Sequence, residues 1–262
     1  MSILICPNCG KPLERNAASR CFACPDGHCF DQAKEGYVNL LIGSKSGENR
    51  GDSRESARAR KEFLSKDYYR CLKDAIGQRL TGTVLDICCG EGYYDDYDGP
   101  LYGFDLSKEM VRLASKRYPA STHPGHQYFV ANLSHIPVAD ASVDTAMHLF
   151  APFDDAAFAR VLTDQGRLYS VIPGENHLYE MKQIVYEEPY KNDEQAPASQ
   201  QLELLNRTKV SQLVSITGED LLTCFSMTPY FYRTAEQDRK KLETVETLDL
   251  TVEFVILEYK KK

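Results

Sequence analysis

The chain has 262 residues, 42% of them hydrophobic and 26% charged, with a formal charge of −7. This suits one sizeable α/β domain plus a small appendage. No apolar run approaches the ~20 residues that span a bilayer, and Met1–Cys6 has neither a basic region ahead of an apolar stretch nor a cleavage site, which predicts a cytoplasmic protein without membrane contact. The acidity argues against general coating of nucleic acid. Residues 1–70 nevertheless carry 12 basic and 9 acidic groups, against 19 and 29 in residues 71–262, so a front end at +3 could meet phosphate.

Nine cysteines stand at 6, 9, 21, 24, 29, 71, 88, 89 and 224. An odd number crowded at one end reads as metal ligation rather than disulfides. Cys6-Pro-Asn-Cys9 and, after fourteen intervening residues, Cys24-Pro-Asp-Gly-His28 offer two short-spaced pairs able to close a tetrahedron round zinc. Cys6, Cys9 and Cys24 are common to two wrappings, completed by His28 or by Cys21; spacing alone slightly favours the four-cysteine version. Either fills every position with protein, which predicts a structural ion. Residues 1–41 form this zinc-binding domain, ending in the strand-like run Tyr37–Leu41, and are too few to fold on their core alone.

Residues 42–70 read as a linker. Ile42–Asp52, rich in Gly and Ser, is the flexible part. From Ser53 to Leu80, apolar Phe63, Tyr68, Leu72, Ile76 and Leu80 recur every four or five residues, as in one or two amphipathic helices. Residues 71–262 then alternate strand and helix. Val84–Ile87, Leu101–Phe104, Tyr128–Val130, Thr145–Phe150 and Arg167–Ile172 are strands, Lys108–Arg117 a helix capped by Ser107, and Leu248–Glu258 a late long strand. The pattern predicts a parallel, doubly wound sheet.

The first strand runs into Asp86-Ile-Cys-Cys-Gly90-Glu-Gly92-Tyr93, a glycine turn expected to open a helix. Asp105 ends the second strand 19 residues after Asp86, where an acid can take both ribose hydroxyls. A glycine turn alone is weak evidence, but strand, turn, strand and acid together are specific. Cys88 occupies the first glycine position of the dinucleotide fingerprint and a tyrosine the third, which favours S-adenosylmethionine over NAD. Asn132, after the third strand, suits either an adenine wall or a turn capping the strand.

Taken together these residues resemble the bacterial 23S rRNA guanine-N1 methyltransferases of the RlmA type. The resemblance covers nearly the whole chain. It is carried by Cys24-Pro-x-x-His28-x-Phe-Asp-x-Ala33-Lys-Glu-Gly-Tyr-Val-Asn-Leu-Leu41, by Gly51-Asp-Ser53 with Ala59-Arg-Lys-Glu-Phe-Leu64, by Cys89-Gly-Glu-Gly-Tyr-Tyr94 and by Ile172-Pro-Gly-Glu-Asn-His-Leu178. It implies an α/β protein whose Rossmann-like S-adenosylmethionine methyltransferase domain follows a small N-terminal zinc-binding domain. It also implies methylation of guanine N1, of the 745 or 748 type, in a hairpin of domain II of 23S rRNA, and a homodimer. The resemblance selects His28 over Cys21 and carries the cofactor contacts to Tyr69, Gly92, Tyr93 and His177; the residues alone make Tyr69 a core aromatic and His177 a loop residue. Departures are Cys88 for a family glycine, a short stretch from Tyr94 to Asp105 that truncates or rebuilds the first helix, and a loop Thr163–Gly166 without the usual proline-glycine pair.

Guanine N1 carries a proton near neutral pH that must leave before or during attack. Asp154, Asp155 and His148 lie at the fourth strand's C-terminal edge without earning assignment as the base. Tyr93, Tyr94 and Phe150 are candidate pocket walls, and Arg54, Arg58, Arg60 and Lys61 a candidate phosphate face on the linker helix. Two rival readings are a small-molecule methyltransferase and a non-catalytic RNA-binding regulator that keeps the fold.

Overall fold

The computed structural model describes residues 2–16, 19–42, 54–228 and 230–262. The expected flexible connector, apart from Ile42, and the Gly51-Asp-Ser53 string lie outside them, as does the side chain of Arg54. Three short antiparallel strands, β1 (Glu14–Asn16), β2 (Cys21–Ala23) and β3 (Cys29–Asp31), form the N-terminal ribbon. The next strand, β4 (Val38–Asn39), leaves the ribbon and pairs in parallel with β7 (His126–Val130) of the large sheet. Leu4, Leu13 and Phe22 accordingly share one buried cluster with Leu85, Ile87, Phe104 and Phe129. The ribbon thus borrows its core from the neighbouring sheet, which answers the shortage of apolar surface in so small a unit.

Helices α1 (Arg54–Ser65) and α2 (Arg70–Gly77) connect the two parts. Phe63, Leu72 and Ile76 are wholly buried. A turn with Asp67 at φ 61° separates the helices, and Asp220 clasps both sides of it, taking Lys66 Nζ at 2.5 Å and the Tyr68 hydroxyl at 2.8 Å. Asp220 lies on α6 (Gly218–Ser226).

The main sheet has eight strands in the order β10-β11-β9-β8-β5-β6-β7-β4. β5 (Val84–Ile87), β6 (Leu101–Asp105), β8 (Val143–Leu149) and β9 (Leu162–Pro173) run parallel to one another and to β7. β11 (Thr247–Lys261) and β10 (Leu202–Thr217) close the other edge antiparallel, so the sheet is mixed rather than all parallel, a common ending for doubly wound sheets. All four residues of β5 are buried, as a central strand covered on both faces requires. Helix α3 (Lys108–Arg117) follows β6, and the Ser107 side chain accepts from Met110 N as its cap. Thr163–Gly166, expected as a loop, is part of β9.

No helix follows the glycine turn. Residues 88–100 run in turns and bends from β5 to β6; the glycine turn itself takes up residues 88–94, and the six that remain before β6 make less than two helical turns. Helices α4 (Asp155–Val161) and α5 (Tyr179–Val185) flank β9. Among the described residues no helix is long and apolar enough to cross a membrane.

Candidate active site and zinc centre

The ribbon brings Cys6, Cys9, Cys24 and His28 together, each offering a ligand atom within 4.8 Å of the others. Zn–S bonds of about 2.3 Å and Zn–N bonds of 2.0–2.1 Å imply tetrahedral edges of about 3.8 Å between sulfurs and about 3.5 Å from sulfur to nitrogen. Cys9 Sγ lies 3.7 Å from Cys24 Sγ, and His28 Nδ1 lies 3.5 Å from Cys6 Sγ and 3.3 Å from Cys24 Sγ. The donor set fits a closed zinc centre. Cys21, the other candidate, turns elsewhere, with its sulfur 3.2 Å from Ser19 Oγ.

The sheet reverses its strand order between β5 and β8, and a crevice opens beyond the carboxyl ends of such strands. The turn after β5 fills this place. Cys88 has φ 62° and Gly90 φ 56°, so the thiol residue stands in a left-handed conformation normally left to glycine. A Cβ on Gly90 would meet nothing within 4 Å, whereas one on Gly92 would come 2.9 Å from Asp95 Oδ2 and 3.1 Å from Ala114 Cβ. Gly90 therefore leaves room for a ligand, and Gly92 serves packing.

Asp105 is held toward the turn. Its carboxylate accepts from Gly90 N at 3.1 Å and from Ser107 N at 2.7 Å. Beneath, the buried carboxyls of Asp86 and Asp95 face each other, and Asp95 also accepts from the Tyr128 hydroxyl at 2.9 Å. Burial, and then the neighbouring Asp95 charge, raise the Asp86 carboxyl well above its usual range; burial also raises Asp95. Of the two, Asp86 is the carboxyl that its surroundings favour in the protonated form.

Tyr93 and Tyr94 pack edge to face and lie beneath the turn. The Tyr93 hydroxyl donates to Asp67 at 3.0 Å, tying the turn to the linker. The Asn132 side chain accepts from Ser134 N at 3.1 Å, the turn-capping role, beside the position expected for adenine.

Two cavities adjoin here. The smaller, about 70 Å³, is bounded by Asp86, Gly90, Tyr93 and other residues of the turn. The larger, about 380 Å³, lies past the ends of β8 and β9 and includes His177. Tyr69, Arg60, Phe150 and Met227 line both. Tyr69 and His177, distant in sequence, meet with the Tyr69 hydroxyl 3.5 Å from Nε2.

His177 Nδ1 accepts from Glu253 N at 3.2 Å, which leaves the proton on Nε2, facing Tyr69. Burial, then the charge of Lys182, hold this imidazole down at about 3, so it is neutral. Lys182 is itself buried, with Nζ donating to Asn192 Oδ1 at 2.6 Å and lying over the Tyr190 and Tyr230 rings.

The other candidate bases have structural tasks. His148 is buried, with Nδ1 3.0 Å from Ser170 Oγ and Nε2 3.1 Å from Pro152 O, and burial lowers it to about 4. Asp154 caps α4 through Ala157 N, and Asp155 accepts from Ser199 Oγ, Gln200 N and Gln201 N.

Arg60 departs from the expected phosphate face. It precedes Phe63 and Leu64 by three and four residues, which puts it on the inward side of α1 and at both cavities, while Arg58 is exposed. Asp95, Lys182, Cys224 and Tyr230 are pocket or supporting residues that no sequence motif marks; only the shortness of the segment holding Asp95 hinted that something unusual replaces a helix there.

Residues 4–45 match the family described as RlmA, N-terminal, and residues 84–168 match a methyltransferase domain. A 23S rRNA (guanine(748)-N(1))-methyltransferase of Streptomyces fradiae is 30% identical, over 68% of this chain and 66% of that one. A Micromonospora griseorubida protein, whose name assigns 23S rRNA (guanine-N(1)-)-methyltransferase activity provisionally, is 28% identical over 88% of this chain and 87% of its own length. A Bacillus subtilis protein named in the same provisional way is 24% identical over 98% and 96%. With a cysteine–histidine zinc ribbon locked onto a methyltransferase sheet, the chain belongs to the RlmA-type methyltransferases.

Proposed function

We propose that this chain transfers the methyl group of S-adenosylmethionine to N1 of a guanine in a hairpin of domain II of 23S rRNA, at the 745 or 748 position. The observation that carries the reading is the joining, in one buried core, of an RlmA-type zinc ribbon to a switch-point glycine turn. A ribbon fixed to the sheet can hold a large substrate at a set distance from the cofactor, which a metabolite would not need. The names of the relatives support the same substrate. In this reading the protein works in the cytoplasm as a homodimer.

The cofactor would lie along the strand ends. Gly90 gives backbone access, Asp105 takes the ribose, and Asp86 lies under the methionine part with Asp95 behind it. Gly92 and Tyr93 shape the turn from below, Asn132 fixes the loop beside the adenine, and Tyr69 stands where cofactor and acceptor cavities meet. His177 acts through Tyr69. When bound, the cofactor supplies the sulfonium methyl, and alignment of donor and acceptor is the chief contribution of the protein.

Incubation with methyl-tritiated S-adenosylmethionine and either unmodified 23S rRNA or a bacterial metabolite extract tests this. Label is expected in RNA as N1-methylguanine. Label in a metabolite, with RNA left unlabelled, would sink the proposal.

A further inference from the structure

The larger cavity has features that the cofactor leaves unexplained. Phe150, directly after β8, is 45% exposed although wholly apolar, and its backbone is left-handed at φ 57°. A non-glycine residue in that region is strained by about 1–2 kcal/mol, and such strain persists where the surroundings over-determine it, often at ligand sites. The ring packs against Phe254 at 5.6 Å between centroids and borders both cavities.

The hydrogen bonding of the opposite wall is directional. Because Nε2 of His177 carries the proton, the Tyr69 oxygen is the acceptor in that pair, and the tyrosine's own proton points to another partner. Among the described residues that partner is Cys224 Sγ, a weak acceptor at 3.9 Å. Burial raises the Tyr69 hydroxyl well above its usual range, so it stays a donor. Arg60 adds a positive charge at the same boundary, with the buried Glu91 of the turn near it, and no Asp or Glu is among the described residues lining the larger cavity.

We propose that this cavity is the acceptor pocket, in which Phe150 stacks a guanine splayed from its RNA hairpin while the Tyr69 hydroxyl and Arg60 hold its O6 edge. This rests on the reading of the chain as a guanine-N1 methyltransferase. It gives the reaction a proton path without a carboxylate base. The N1 proton passes to water, and the negative charge left on N1 and O6 is stabilised by Tyr69 and Arg60. The N1 electron pair then attacks the methyl carbon, and the carbon–sulfur bond breaks with its pair staying on sulfur. The products are N1-methylguanine, S-adenosylhomocysteine and the released proton. His177 is a positioning residue that fixes the direction of the Tyr69 donor.

The test compares the zinc-loaded full chain with Phe150→Ala, Phe150→Tyr and Tyr69→Phe on the RNA hairpin, together with S-adenosylmethionine affinity by calorimetry. Base–aromatic stacking of about 1–3 kcal/mol corresponds to a loss of roughly 5- to 150-fold. Phe150→Ala is expected to lower kcat/KM for RNA within that range and leave cofactor affinity within about twofold, with Phe150→Tyr restoring most of the loss. Tyr69→Phe is expected to move the acid limb of the pH–rate profile to higher pH, since the deprotonated base loses a donor. Wild-type kcat/KM in Phe150→Ala, an equal fall in its cofactor affinity, or an unmoved limb in Tyr69→Phe would each overturn the pocket assignment. A wild-type chain that leaves RNA unmethylated would instead overturn the functional reading, and the acceptor assignment with it.

Discussion

Two groups of buried titratable residues pull stability in opposite directions with pH. His148 and His177 are lowered by burial to about 4 and about 3. The unfolded chain therefore binds more protons than the folded one from about pH 6.5 downward. Their contribution is complete above pH ~6.5 and is lost as pH falls through 4 and 3. At ~1.4 kcal/mol per unit this is on the order of 3–5 kcal/mol for each. Denaturation midpoints should fall steadily below pH 6, with both imidazoles still neutral by NMR at pH 5; imidazoles charged at pH 5 would contradict the assignment. Asp86 and Asp95 work the other way. Their folded carboxyls are raised, so the stability they give is full below pH ~4 and is lost as pH rises through their folded range. Asp95→Asn keeps an acceptor for Tyr128 and supplies a donor to Asp86. It is expected to raise the melting temperature at pH 8 more than at pH 5, and an equal change at both pH values would argue against repulsion between the two carboxyls.

At the level of elements, the two-residue strand β4 has influence out of proportion to its length. It carries the ribbon onto the edge of the main sheet, with Leu40 N also donating to Val130 O at 2.9 Å. Loss of zinc should therefore be felt in both parts. Cys9→Ser, or treatment of the wild type with a strong chelator, is expected to lower the melting temperature of a single transition followed by calorimetry. Two separate transitions, the upper one unmoved, would show that the ribbon is independent. Such pairing was not legible in advance, because two residues carry no periodicity and their partner lies some ninety positions away. Helix α3 was legible residue for residue, since Ser107 supplies a cap and the buried stripe is local. The long edge strand β10 leaves a weak signal in the sequence because it pairs on one side only, so its burial does not alternate cleanly. The expected helix after the glycine turn fails for the reason its short segment suggested.

Across the whole molecule, the metal cluster and the cofactor turn were legible because zinc and nucleotide sites demand particular residue types at close spacing. The two wrappings of the zinc remained open on spacing, and geometry brings His28 rather than Cys21 to the cluster. The acceptor side was less legible. Arg60 read as an outward charge, although its helical phase with Phe63 and Leu64 could have turned it inward. Phe150 stood only as one candidate wall among three, because a positive φ leaves no trace in a residue's identity. Tyr69 and His177 lie 108 positions apart and meet only through the docking of the linker on the sheet.

The central claim is that ribbon, linker and sheet act as one device for methylating a guanine in 23S rRNA. Reverse transcription across the domain II hairpin, after incubation with S-adenosylmethionine and zinc-loaded protein, tests it most directly, because a methyl on N1 blocks base pairing. The expected result is one strong stop at a single guanine of the hairpin, absent without the cofactor. Read-through of the hairpin by protein shown to hold both zinc and S-adenosylmethionine would contradict the claim.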